Sequence, residues 1–256
     1  MKIAVCVKQV PDSWAEKKMA GSVLDRANVD AVLNDLDEYA IEEALKIVEA
    51  NGEGHTVTLI SMGPERATEA LRKGLSMGAD DAILISDPAL AGADALVTSL
   101  VLSKAIAGSG FDLIICGAES TDARMSVVPS MLAQRLQIAQ LTCASKVSIS
   151  GDKVCIERTI ESGIESQEAS FPVLLGVVEK INEPRYPSFK GIMAAKKKTI
   201  ETKSLADLGI GSEQVKAWSE VSNVTVLPPR SKGLKIEDSG DAGNKLADFL
   251  AEKKLI

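Results

Sequence analysis

Few residues in this chain could carry a reaction. It has one histidine, His55, and the Gly-x-Ser-x-Gly spacing at Gly74-Leu75-Ser76-Met77-Gly78 falls at the end of a helical pattern and not on a strand-to-helix elbow, so a nucleophile–base pair for acyl transfer has no support. His55 reads as a loop residue at the mouth of a strand. Neither a Gly-x-x-x-x-Gly-Lys-Ser/Thr loop nor a Gly-x-Gly-x-x-Gly turn occurs, which leaves Walker-type phosphoryl transfer and the standard dinucleotide fingerprint unsupported. Histidine, cysteine and carboxylates also lack the spacing of a metal site. Cys6, Cys116, Cys143 and Cys155 form no Cys-x-x-Cys pair and each lies in or beside a strand-like run. That predicts reduced core thiols, as in a cytoplasm, and no disulfides. With nothing placed to make or break bonds, the chemistry that remains is binding.

Two stretches have the composition for it. The first is Gly117, Ala118, Glu119, Ser120, Thr121, Asp122, Ala123, Arg124, Met125, Ser126, Val127 and Val128, followed by Pro129. It leaves an apolar strand and enters a helical pattern with Met131, Leu132 and Leu136 along one face. Gly117 lets the backbone turn closely. The amides that open the helix carry partial positive charge and suit a phosphate. Plain capping of that helix by Asp122 or Ser126 is the competing reading. The second stretch runs from Asn182-Glu183-Pro184-Arg185-Tyr186 to Lys196-Lys197-Lys198. It has no clean period and reads as a long exposed loop. Phe189, a large apolar residue among prolines and charges, has the pattern of a partner anchor. The alternative is that Phe189 and Met193 tuck back while the lysines face solvent.

The elements that must position these stretches alternate in type. Strands are predicted over residues 3–7, 56–61, 82–85 and 113–116. Helices are predicted over 37–50, 65–76 and 94–107. Ala40, Ile41, Ala44, Leu45, Ile47 and Val48 give the first helix a stripe of period 3.6, with Asn34 or Asp35 as cap. This order implies an α/β fold: a parallel sheet with helices on both faces. Ligands in such sheets sit beyond the carboxyl ends of the strands, which singles out the loops after the first, second and fourth. Around Gly151-Asp152 two alternating runs predict a hairpin, and 172–178 reads as one more buried strand. A short helix near 204–208 and a polar linker precede a last helix over 241–254, whose Leu246, Phe249 and Leu250 share one side. That helix needs something to dock on. The expected division is a main domain over 1–225 and a linker and arm over 226–256.

Composition narrows the partners. A net charge of -7 over 256 residues argues against nucleic acid. Aromatics at 3% leave little for base-stacking platforms. Apolar runs break well before the about 18 residues that a membrane span needs. Residues 2–7 read as a strand and not as a signal peptide.

Several segments together resemble the electron transfer flavoprotein β subunit. They are Val5-Cys6-Val7-Lys8, Glu42-Glu43-Ala44, Ser61-Met62-Gly63-Pro64 and Met77-Gly78-Ala79-Asp80. The Asn182-Glu183-Pro184-Arg185-Tyr186 stretch continues the set through Ile192-Met193 and Lys196-Lys197-Lys198. The pieces occur in one unbroken order over nearly the whole chain. The resemblance implies an electron-carrier subunit with no catalysis of its own and a fold like that of adenine-nucleotide α-hydrolases. It implies a structural AMP lined by Cys6, Asn34, Asp35, Leu36, Asp37 and Met62, with the phosphate on Gly117 to Val128. It also implies an α subunit that shares FAD with this chain, with Trp14 and Leu36 near the flavin and the last helix wrapped on the partner. Electrons would come from acyl-CoA or other flavin dehydrogenases, as in fatty acid oxidation, and pass to a quinone reductase or another acceptor. Phe189, Ile192, Met193, Lys196 and Lys197 would face the dehydrogenase. The chain departs from the family at three points. Phe189 stands where many members have Leu, Arg124 where acidic or small residues are usual, and Val128 where a hydroxyl residue is usual. Electron-bifurcating relatives place a second FAD in the AMP site, and universal stress proteins, nucleotide-binding regulators, share the α/β plan. These, with a hydrolase acting on an adenylate, are the other readings.

Overall fold

Alternate residues of the first strand are buried on opposite faces. In the computed structural model, which describes residues 1–225 and 227–256, Ile3 and Val5 join one apolar cluster while Ala4 and Cys6 join another. A strand buried on both faces is what a parallel sheet covered by helices requires. The described residues divide into two units, Met1–Val221 and Ser222–Ile256. The expected boundary at position 226 lies outside the described residues.

Within the first unit the chain begins with β1 (Lys2–Cys6). An excursion follows, made of β2 (Gln9–Pro11), β3 (Met19–Ala20), β4 (Val23–Leu24) and β5 (Ala31–Leu33). Next come α1 (Asp35–Asn51), β6 (Thr56–Met62), α2 (Thr68–Met77), β7 (Asp81–Ile85) and α3 (Ala95–Ile106). β8 (Leu113–Gly117), α4 (Val128–Leu136) and β9 (Ala139–Ala144) precede three antiparallel strands, β10 (Lys146–Ser150), β11 (Lys153–Ile160) and β12 (Gly163–Ser170). β13 (Val173–Val177), α5 (Phe189–Lys197) and β14 (Ile200–Lys203) follow, with a short 3-10 turn at Ser212–Val215 after them.

Seven strands form one sheet in the order β14-β7-β6-β1-β8-β13-β9, and every pairing is parallel. The first cluster covers one face with α1 and α2 residues such as Ile41, Ala44 and Leu71, joined by Val154 and Ile156 of β11. The second covers the other face with Val97 and Val101 of α3 and Leu132 of α4. The α/β reading with helices on both faces holds.

Differences from expectation have local causes. Residues 182–198 are not all loop, because α5 occupies nine of them. Ser188 caps that helix, its Oγ accepting the Gly191 amide at 3.0 Å, and the apolar spacing Phe189, Ile192, Met193 is helical. Residues 204–208 form turns, not a helix: Asp207 turns back on the Ser204 amide and hydroxyl, and Gly209 follows at φ 64°. β9, β12 and β14 were not predicted. β12 reads Gly-Ile-Glu-Ser-Gln-Glu-Ala-Ser, an edge strand too polar to show an apolar run. Cys143 is exposed and Cys155 half-buried, so only Cys6 and Cys116 are core thiols, and all four are free. In the second unit α6 (Ala242–Glu252) has no buried residue. No helix among the described residues is long and apolar enough to cross a membrane.

Candidate functional site

The strand order decides where a site can form. From β1 the chain moves outward through α1 to β6 and β7, then returns through α3 to place β8 on the other side of β1. The crossovers diverge between β1 and β8, and the carboxyl ends of those strands are where sheets of this kind place their ligands. Cys6 ends β1 in register with Cys116 on β8, and Gly117 is one residue further along.

At this point the backbone approaches are closer than a side chain allows. A Cβ on Gly117 would lie 2.6 Å from Asp37 Oδ1 and 2.9 Å from both the Leu36 carbonyl carbon and Cβ. Only glycine lets the start of α1 press against the end of β8. Asn34 then fixes the loop. Its Nδ2 donates to the Glu119 carbonyl at 3.0 Å and to Asp37 Oδ1 at 3.0 Å, and its Oδ1 accepts the Thr121 amide at 3.0 Å. Asn34 occupies the cap position of α1, yet its side chain serves the loop and makes no cap hydrogen bond.

Two charged groups finish the frame. Asp37 is buried beneath it, accepting the Lys8 amide at 2.7 Å. Burial raises its carboxyl to about 7, against the opposing pull of Asn34, Lys8 and Gly117 hydrogen bonding and the Lys8 charge. Asp122, with a side chain 2% exposed, accepts Lys8 Nζ at 2.8 Å and Arg26 Nη2 at 2.8 Å. Burial pushes this carboxyl up as well, but the charge and hydrogen bond of Lys8, with help from Ser120 and Arg26, outweigh it and hold it below the ordinary value. Ser126 closes the far end, its Oγ donating to Glu119 Oε2 at 2.7 Å.

These contacts overturn the capping alternative. Asp122 and Ser126 are engaged elsewhere, the cap position of α4 is Val127, and no side chain bonds to that helix end among the described residues. The loop reaches it through left-handed backbone at Arg124 (φ 47°) and Ser126 (φ 55°), conformations rare for residues with a Cβ.

The expected site residues therefore separate. Asn34, Asp37 and the run Gly117 to Asp122 form one hydrogen-bonded frame, flanked by Cys6 and by Leu36. Asp35 and Ala123 to Ser126 are exposed, and Val127 and Val128 half-buried. Met62 ends the neighbouring strand β6, packed on the second cluster. Trp14 is 95% exposed on the excursion. The Cys116 thiol, hydrogen-bonded to Cys6 and buried, is raised well above the ordinary value and stays a protonated wall group. Neither Lys8 nor Arg26 carries a sequence signal for this role: Arg26 meets its partner Asp122 96 residues on, and no local pattern announces the contact.

The second region is α5. Phe189 is 80% exposed, Ile192 41% and Met193 43%, so these side chains do not tuck back. Lys196 and Lys197 are exposed in the last turn, where cations complement the helix dipole. Only Ala195 is buried. The helix is fastened from behind. Arg72 of α2 donates to the carbonyls of Ala195 and Lys198, and Lys198 Nζ donates to the Ala79 carbonyl at 2.6 Å.

A parallel sheet wound to both sides, with a glycine-tightened loop and an uncapped helix at its switch point, defines a chain of the doubly wound α/β class. Comparison with known proteins carries this further. Residues 21–208 match the family model described as the electron transfer flavoprotein domain. The chain is 45% identical over 263 residues to the electron transfer flavoprotein subunit beta of Mycobacterium tuberculosis (strain ATCC 25618 / H37Rv), covering 99% of each. It is 38% identical to the subunit of the same name from Megasphaera elsdenii, covering 99% of this chain and 97% of the other. With the caffeyl-CoA reductase-Etf complex subunit CarD of Acetobacterium woodii it shares 36% identity, covering 99% and 97%. The chain belongs to the electron transfer flavoprotein family, as a β subunit. It is an electron-carrier subunit and not an enzyme in its own right, and the subunit name entails an α partner.

Proposed function

We propose that this chain holds an AMP in the β1/β8 crevice and, with its α subunit, one face of an FAD. The observation that supports the reading most is the pairing of Gly117, too crowded for any Cβ, with an α4 end that no side chain caps. The loop is held rigid by Asn34 from one side and by Asp122 from the other, so its amides are oriented before a ligand arrives. A phosphate there would accept the first free amides of α4, with Arg124 exposed nearby. Cys6, Leu36 and Met62 would line the rest of the nucleotide. FAD, when bound, supplies the electron storage. This chain's residues would orient it, exclude water from one face and choose the donor. Leu36 and Trp14 are the residues we assign to the flavin side.

On this reading the exposed face of α5, with Phe189 as anchor and Lys196 and Lys197 at its rim, receives acyl-CoA or other flavin dehydrogenases. Electrons then leave for a membrane quinone reductase or another acceptor, as fatty acid oxidation requires. The apolar side of α6 would rest on the α subunit. We place the pair in the cytoplasm, in keeping with four free thiols. Coexpression with the α subunit tests this. A yellow heterodimer reduced by an acyl-CoA dehydrogenase and its acyl-CoA is the expected result, and a colourless chain that never associates with α would overturn it.

A further inference from the structure

The approach to α5 is gripped by two adjacent carboxylates of α1. Glu42 and Glu43 are both buried, at 6% and 7% exposure, positions where a carboxylate is retained only if it is paired. Glu43 Oε2 accepts Asn182 Nδ2 at 3.0 Å. Glu42 accepts Arg185 three times, from the backbone amide at 3.1 Å, from Nε at 2.7 Å and from Nη2 at 3.0 Å. The same guanidinium reaches two turns further to Glu49, at 2.6 Å from Nη1 and 3.0 Å from Nη2. One Arg thus bridges two carboxylates seven residues apart on one helix, an arrangement only a planar fork of donors can make. At the other end, Gly191 packs so closely that a Cβ would lie 2.5 Å from the Ser76 carbonyl oxygen of α2. Between the two fixed points lie Tyr186, 93% exposed, and Phe189, 80% exposed.

None of these contacts contributes to the apolar face itself, yet together they fix its direction. From this we infer that Arg185, clamped by Glu42 and Glu49, is a positioning residue for partner recognition: it sets the bearing of Phe189 before a donor flavoprotein arrives. A helix already held in its docking orientation loses less conformational freedom on binding, so affinity depends on the clamp as well as on the anchor. Arg185 does not itself touch the partner. The inference rests on the reading of α5 as the dehydrogenase-facing element.

The test uses the full heterodimer with FAD, reduced by an acyl-CoA dehydrogenase and its acyl-CoA, and compares Phe189→Ala, Arg185→Lys, Glu49→Gln and the double variant Arg185→Lys/Phe189→Ala. Phe189→Ala should raise KM for the heterodimer about tenfold with kcat within about twofold, as loss of an interface anchor does. Arg185→Lys keeps the charge and loses the fork; it should raise KM about fivefold at unchanged kcat and flavin content. Because the clamp acts through the anchor, the double variant should be no worse than Phe189→Ala alone. Amide exchange over 190–197 should quicken in Arg185→Lys while β1 and β8 keep their protection. A wild-type KM for Arg185→Lys, or a full multiplicative loss in the double variant, would overturn the clamp. An unchanged KM for Phe189→Ala would instead remove the recognition reading beneath it. Should Arg185→Lys fail to assemble, Glu49→Gln, which loosens only the exposed leg, must show the same pattern at about twofold, and a wild-type KM there rejects the inference.

Discussion

The switch-point loop and α5 are both held rigidly, but by opposite means. Around Gly117 the chain fastens backbone to backbone through a buried Asn and a buried Asp, and what it offers outward is amide groups. At α5 charged side chains hold the helix from behind, and what it offers outward is apolar carbon. The first arrangement suits a small anion, whose recognition needs fixed donors. The second suits a protein surface, whose recognition needs an anchor kept out of its own core. A change in the loop should therefore damage folding and nucleotide content together. A change on the outer face of α5 should leave both alone.

The largest effect expected is at Gly117. Gly117→Ala forces its new Cβ against Leu36 and Asp37, and overpacking of this kind costs about 3 kcal/mol. Urea unfolding should show that loss, accompanied by depletion of bound nucleotide. Nucleotide retained at full stability would break the contrast between the two regions.

Asp37 gives a pH signature to the loop alone. Its carboxyl is raised from 3.8 to about 7 in the folded chain, so the folded state keeps a proton that the unfolded state has released. Stability from this group is full below about pH 3.8 and is lost as pH rises towards 7. Asp37→Asn removes the dependence. Its stability relative to wild type should rise by about 2–3 kcal/mol between pH 4 and pH 7, read from denaturation midpoints. A constant difference would mean that hydrogen bonds from Asn34 and Lys8 keep Asp37 ionised throughout.

Asp122→Ala should cost less. It strands Lys8 and Arg26, but their side chains are 40% and 46% exposed and rehydrate readily, so about 1–2 kcal/mol is expected. Faster proteolysis within 118–127 should accompany it. The smallest change is at the other region. Phe189→Ala should shift stability by less than about 0.5 kcal/mol, as for an exposed side chain, while weakening the dehydrogenase contact. A thermal melt of the two variants side by side checks both.

How far these regions could be read in the sequence follows from the range of the contacts that make them. The central strands and α1 to α3 were legible because a strand buried on both faces and a helix with a 3.6-residue stripe each carry their own pattern. Gly117 and its loop were legible from topology as one of three, since strand alternation singles out the loops after β1, β6 and β8. The Lys8–Asp122–Arg26 frame and the Arg185–Glu42–Glu49 clamp were not, because their partners lie 96 to 143 residues apart and either end alone looks like surface charge. α5 looks like loop in the sequence because Pro184 and Pro187 stand just before it and lysines crowd its end; its cap, Ser188, is the signal of the nine-residue helix. β14 and β12 were missed because edge strands carry too little apolar sequence to stand out.

The most direct test of the central claim is chemical. The purified heterodimer is denatured, and the released nucleotides are separated and quantified. AMP and FAD in a one-to-one ratio is the result predicted by a phosphate resting on the α4 amides beyond Gly117. Two FAD with no AMP, or FAD alone with the β1/β8 crevice empty of nucleotide, would contradict it.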